Sequence, residues 1–150
     1  YLWDSSQKEA IEKGNLVHLL LSRIFTKSDI ENTFNHFTNT GAISSEQKNT
    51  LLQSVKDIVN HPDLSLYYTS EVTIYNEKEI ITSNGKIIIP DRLVVFEDQT
   101  SVIIDYKTGV FNDKHKLQLM NYAKVIEEMG YKVTKKLLVY TNSNLQVKEC

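Results

Sequence analysis

One cysteine, two prolines and five glycines in 150 residues leave whole classes of protein out of reach. The lone cysteine excludes an internal disulfide, a cysteine-rich zinc site and a four-cysteine iron–sulphur cluster. It also fits a reducing compartment. No apolar run approaches the length of a membrane span, and no secretory signal stands at the front. There is no internal repeat, low-complexity tract or long linker. No glycine-rich phosphate loop with its lysine occurs, so an ATP-driven motor would lie outside these residues. A net charge of −2 excludes a module that grips nucleic acid by bulk positive field alone. Chemistry on a polyanion would need a metal or a neighbouring domain to offset the acids.

What is present is an ordinary soluble composition, 41% hydrophobic and 24% charged, in a length that fits one domain with a real core. The chain runs from Tyr1-Leu2-Trp3, without methionine, to Cys150, and is expected to be an excised part of a longer polypeptide. Ser6-Gln7-Lys8-Glu9 is a capping-box pattern. With Ala10, Val17, Leu20, Leu21 and Ile24 behind it, it predicts a helix over about residues 6–25. Gly14 and His18, four apart, share one side of it. A second box, Ser28-Asp29-Ile30-Glu31, predicts a helix to about Phe37. A third, Ser44-Ser45-Glu46-Gln47, predicts one that Asn60-His61-Pro62 stops.

From Tyr67 the period changes. Two strands are expected, over about residues 70–82 and 86–96, joined by a tight hairpin at Asn84-Gly85. Pro90 should interrupt the second where Asp91 sits. Glu97-Asp98-Gln99-Thr100 turns into a third strand, Val102-Ile103-Ile104-Asp105-Tyr106-Lys107. Asp113 is expected to cap a helix over about residues 114–129, with Leu117, Met120, Ala123, Val125, Ile126 and Met129 inward and Gly130 at its end. A last strand over about residues 136–141 and a short edge strand follow. The order implies an α+β or α/β fold with a mixed sheet.

Three β-branched residues leading into Asp105-Tyr106-Lys107 mark a buried strand that delivers an acid and a base on one face at its end. Asp91 and Asp105 close consecutive apolar strands and should be neighbours. Two carboxylates brought together repel unless a positive group lies between them. A divalent cation meets that need, and oxygen ligands suit magnesium or manganese. His18 would complete the shell, with Lys107 beside it.

Ile89-Pro90-Asp91 followed by Asp105-Tyr106-Lys107 resembles the signature of the PD-(D/E)XK nuclease superfamily. Gly14-x-x-x-His18 before it and Gln118-x-x-x-Tyr122 after it narrow the resemblance to the RecB-like branch, over about residues 10–142. That branch includes the nuclease domains of AddA-type helicase-nucleases that process double-strand DNA ends.

The resemblance implies a restriction-endonuclease-like αβββαβ core, with a helical hairpin inserted after the first helix and residues 1–150 forming a single nuclease domain. It implies His18, Asp91, Asp105 and the backbone carbonyl of Tyr106 as ligands of Mg2+ or Mn2+. Lys107 would act on the attacking water and the phosphate, and Gln118 and Tyr122 would support the site and touch DNA. Family members also carry a glutamate on the first strand. Glu71, Glu77 and Glu79 compete for that role, and Glu77 is preferred because Asn76-Glu77 precedes Ile80-Ile81 as in relatives. An iron–sulphur cluster, found in AddB-like members, is not expected.

The expected partners are DNA ends, helicase domains of the same polypeptide and a second subunit. The expected setting is the bacterial cytoplasm or nucleoid, in double-strand-break repair, with no membrane. The rival reading is an inactive nuclease-like module for DNA binding or docking. A recombinase or junction-resolving nuclease would share the chemistry. Each residue also has a plainer reading. Asp105 and Lys107 would be a core-closing ion pair and His18 a satisfied core histidine. Asp91 and Arg92 would be a turn-edge pair, with Arg92 either structural or facing DNA backbone, and Gln118 and Tyr122 would be helix surface. His36, His61 and His115 have no partner pattern and read as surface.

Overall fold

The computed structural model describes residues 2–150, with side chains from Asp4 onward. Helix α1 spans Leu2–Leu21. It runs straight through Ser6 and Glu9, so that box is not a helix start; both side chains are exposed, where a cap-type residue is tolerated inside a helix. It also stops at Leu21 rather than near residue 25. The N–H groups of Arg23 and Ile24 bond back to the carbonyls of Leu20 and Leu21, tightening the last turn. Ala10, expected inward, is exposed, while Val17, Leu20, Leu21 and Ile24 are buried.

A 3-10 turn at Lys27–Asp29 leads into helix α2, Ile30–Asn39. Here the Asp29 carboxylate, not Ser28, collects orphan donors, accepting from the N–H groups of Phe25 and Thr26 at 2.9 Å each. Helix α3, Ser45–Val59, opens on the expected box: Ser44 Oγ accepts from Gln47 N at 3.2 Å, and Gln47 Oε1 accepts from Ser44 N at 3.0 Å. Phe34 and Phe37 of α2 and Leu51, Val55, Ile58 and Val59 of α3 share one core with α1 and one face of the sheet.

That sheet has five strands: β1 Thr73–Asn76, β4 Arg92–Val95, β5 Thr100–Lys107, β6 Lys132–Tyr140 and β7 Gln146–Glu149, in the order β1-β4-β5-β6-β7. Only β5 and β6 are parallel. Parallel neighbours need a crossover, and helix α4, Asp113–Glu128, supplies it. The fold is therefore mixed α/β, a mixed sheet with four helices.

Each of the two long strands expected before β5 is broken in two. The first breaks at Glu77, whose φ of 49° leaves the extended region, and the second around Pro90. The freed pieces, β2 Ile80–Ile81 and β3 Ile87–Ile88, pair as a separate hairpin around Asn84-Gly85, with Gly85 at φ 83°.

On the far face α4 is capped by Asn112, whose side chain accepts from Lys114 N at 2.9 Å; Asp113 is the first helical residue. Leu119, Ala123 and Ile126 pack inward on Leu93, Ile103, Leu138 and Tyr140. Leu117, Met120 and Met129 point outward. The last long strand starts at Lys132 rather than 136. No helix among the described residues is long and apolar enough to cross a membrane.

Arg92 joins the two halves and faces neither solvent nor a turn-edge acid. It is 0% exposed and donates to the carbonyls of Ile24, Phe25 and Tyr67 and to Asn76 Oδ1, at 2.5–3.1 Å. Its guanidinium stacks on Tyr68, 3.9 Å from the ring centroid. A buried charge persists only when so fully satisfied. The result fixes the end of α1, the last residue of β1 and the segment before β1 against β4, next to Asp91.

Candidate active site

Asp91 sits in the gap between β3 and β4, where the ladder is open, and its groups reach in four directions. Its N–H donates to Asp105 Oδ1 at 3.2 Å, and its carbonyl accepts from Glu77 N at 3.1 Å. Its Oδ2 accepts from Tyr106 N at 2.9 Å, and its Oδ1 lies 2.9 Å from His18 Nε2. The break that Pro90 imposes is thus the joint of the site.

Glu77 is placed by its own backbone. A glutamate at positive φ is uncommon, and here it ends β1 and turns the side chain toward α1. Its Oε1 lies 3.1 Å from His18 Nε2. Glu71 and Glu79 do not reach that nitrogen. His18, Glu77 and Asp91 form the one group of three metal-ligating side chains among the described residues, with ligand atoms within 4.8 Å of one another.

Gly14, one turn before His18, explains how α1 comes so near. A Cβ there would lie 2.1 Å from Cγ2 of Thr108, just past β5. Glycine is what lets the helix close on the strand end.

Asp105 and Lys107 lie on the α4 face of β5, beside Leu138 and Tyr140 of β6. Their side chains pair at 2.9 Å. Asp105 is 2% exposed and stands outside the three-residue group, joined to it through the Asp91 backbone. Lys107 also donates to Gln118 Oε1 at 2.7 Å, and Gln118 Nε2 donates to Tyr122 Oη at 2.9 Å. Gln118 and Tyr122 are therefore a brace for the lysine. An ammonium has three donors, so two partners leave Lys107 one for a ligand. Tyr106 turns its ring to the α1 side, where its hydroxyl meets that of Tyr68 at 2.5 Å. Its peptide N–H is the one that holds Asp91.

The electrostatics carry the mark of unrelieved negative charge. Burial first, then the charge of Asp91, pushes Asp105 from 3.8 up to about 6, against the pull of Lys107. The hydrogen bond that His18 donates to Asp91 raises it above 6.5, opposed by burial and helped by the charges of Asp91, Glu77 and Asp105. When protonated, the imidazole supplies the positive group between the acids. The donor set suits a divalent cation equally well: one imidazole nitrogen and two carboxylates already converge, with the carboxylate of Asp105 joined to them through the Asp91 backbone.

A cleft of about 190 Å3 opens on these groups, lined by His18, Tyr106, Lys107, Thr108, His115 and Thr141 among others. A larger cavity, about 850 Å3, lies instead between α3 and the loop after β6, where no acids converge, so chemistry rather than volume locates the site. The sequence pattern missed His115. It does not sit alone on the surface: Nδ1 meets Tyr140 Oη at 2.9 Å. Its place three residues before Gln118 on one helix was the available signal.

A mixed α/β scaffold carrying a histidine–carboxylate cluster beside a braced lysine defines the class of site. No family model matches the chain. The chain is similar to an ATP-dependent helicase/nuclease of Clostridioides difficile (strain 630), 22% identical over 180 aligned positions. The alignment covers 93% of this chain and 14% of that relative's own length. A solved structure, "Crystal structure of SSO0001", superposes with a TM-score of 0.38 and 18% identity over 89% of this chain and 64% of the other.

Proposed function

We propose that this chain is the nuclease domain of a RecB-like, AddA-type helicase-nuclease, a restriction-endonuclease-like αβββαβ core that hydrolyses DNA phosphodiester bonds with Mg2+ or Mn2+. The observation that carries the reading is the convergence of His18 Nε2, Glu77 and Asp91 next to the Asp105–Lys107 pair. The helicase/nuclease name of the relative supports it.

In this reading His18, Glu77 and Asp91 hold the ion, with Asp105 and the Tyr106 carbonyl completing the shell. When bound, it supplies positive charge against the phosphate oxygens and acidifies the attacking water. The protein does the rest. Asp105 and Gln118 fix the Lys107 ammonium so that its remaining N–H meets the phosphate or the incoming water without reorganising. Tyr122 holds Gln118 from behind. Water attacks phosphorus in line, losing a proton to solvent, and the bridging P–O bond breaks, the leaving oxygen taking a proton from solvent while Lys107 faces the charge on the phosphate oxygens.

The proposal extends to helicase domains on the same polypeptide, a second subunit, DNA ends as substrate and the bacterial cytoplasm as setting. One cysteine leaves no place for an iron–sulphur cluster held by this chain alone. Purified protein with Mn2+ should degrade linear DNA, and Asp91→Ala or Lys107→Ala should reduce the rate by about 10^2-fold or more. Cleavage that survives both changes would overturn the assignment.

A further inference from the structure

We propose that His115 is a phosphate-contacting residue of this cleft, held by Tyr140 with its proton on Nε2 so that it donates a hydrogen bond to a phosphodiester oxygen beside Lys107. The inference rests on the nuclease reading for its ligand and goes beyond it in naming a residue outside the motif set.

His115 stands in the first turn of α4, behind the Asn112 cap, and lines the same cleft as Gly14, His18, Tyr106 and Lys107. Its anchor is Tyr140, which sits directly across the parallel ladder from Lys107. The two rings are 5.9 Å apart at 40°, and the contact of 2.9 Å runs from Nδ1 to the phenolic oxygen.

The direction of that hydrogen bond decides what the cleft is offered. A phenol is a strong donor and a weak acceptor, whereas an unprotonated imidazole nitrogen is a strong acceptor. The phenol therefore gives its proton to Nδ1. Burial, then the charge of Lys107, keeps His115 below its usual 6.5, so the ring is neutral at neutral pH. A neutral imidazole that accepts at Nδ1 carries its hydrogen on Nε2.

Lys107 alone has one donor left for an anion after Asp105 and Gln118. A second donor on the same side turns a single contact into a two-point grip on a phosphate. The first turn of a sixteen-residue helix adds its partial positive charge.

The test uses 15N-labelled full-length chain in EDTA, so that no cleavage intervenes. Long-range imidazole 15N–1H spectra at neutral pH should show His115 protonated on Nε2 and bare on Nδ1, and Tyr140→Phe should mix the tautomers. Titration with oligothymidylate should move the His115 resonances. His115→Ala should weaken that binding about tenfold, and His115→Gln, which keeps an amide N–H donor, should recover most of it. A wild-type ring protonated on Nδ1, or unchanged binding in His115→Ala, overturns the proposal. If wild type binds the oligonucleotide through His115 yet cuts nothing with Mn2+, the phosphate contact stands and the nuclease reading fails. If His115→Ala binds and cuts as wild type does, the nuclease reading stands and this inference fails.

Discussion

Asparagine at position 105 should remove a pH-dependent destabilisation that the metal-free protein carries. Two carboxylates, Glu77 and Asp91, meet one imidazole, and Asp105, bonded to the Asp91 backbone, is the most deeply buried of the three acids. Its folded value of about 6, against an ordinary 3.8, means that the folded chain binds this proton more tightly than the unfolded chain does. The stability from that proton is complete below the unfolded value and is lost as pH rises through about 6. With one pH unit worth about 1.4 kcal/mol, the loss comes to about 2–3 kcal/mol. Asparagine cannot ionise and escapes it. The assay is urea unfolding in EDTA from about pH 4 to about pH 7.5 for wild type and Asp105→Asn. The difference between their unfolding free energies should shift by about 2–3 kcal/mol in favour of the variant across that range. His18, also raised, loses stability in the same direction in both proteins, and by less in the variant, which lacks the charge of Asp105, the smallest of the causes that raise it, so it adds to the difference with the same sign. Parallel curves would refute the idea that Asp105 is held against its own charge. The same variant should lose metal-dependent cleavage, so stability and activity move in opposite directions.

Arg92→Met leaves two buried carbonyls, the part-buried carbonyl of Phe25 and the Asn76 amide oxygen without their donor, and should cost about 3–5 kcal/mol in denaturant unfolding. Gly14→Ala puts a methyl against Thr108 and should destabilise by about 1–3 kcal/mol, less the helix-propensity gain. Combining it with Thr108→Ser, which removes the opposed Cγ2, should recover most of the loss in the same melts. Gln118→Ala frees Lys107 from its brace and should slow DNA cleavage, though less than Lys107→Ala does; equal rates for wild type and Gln118→Ala in a single-turnover assay would show that the lysine needs no brace.

Much of this arrangement is legible in the sequence. Alternation along a strand places Asp105 and Lys107 on one face, and their side chains do meet at 2.9 Å. Proline cannot continue a ladder, so Asp91 falls at a break. Asn84-Gly85 turns a hairpin, and Gly130 ends α4. Other features need the third dimension. The inward face of α4 keeps Ala123 and Ile126 as expected but takes Leu119 in place of Leu117, Met120 and Met129, a choice that only packing on the sheet makes. Three glutamates compete in the sequence, and the positive φ of Glu77 aims one of them at α1. Arg92 reads as a turn-edge pair, a structural residue or a DNA contact, and the sequence does not say what it holds, because its acceptors lie 16 to 68 residues away in the chain. Long-range partners of that kind leave no local periodic trace.

Calorimetric titration of the apo protein with Mn2+ tests the central claim most directly. Saturable binding that His18→Ala, Glu77→Ala and Asp91→Ala each weaken strongly, and that Gln118→Ala leaves intact, is the expected result. Wild type that takes up no Mn2+, or binding indifferent to all three substitutions, would contradict it.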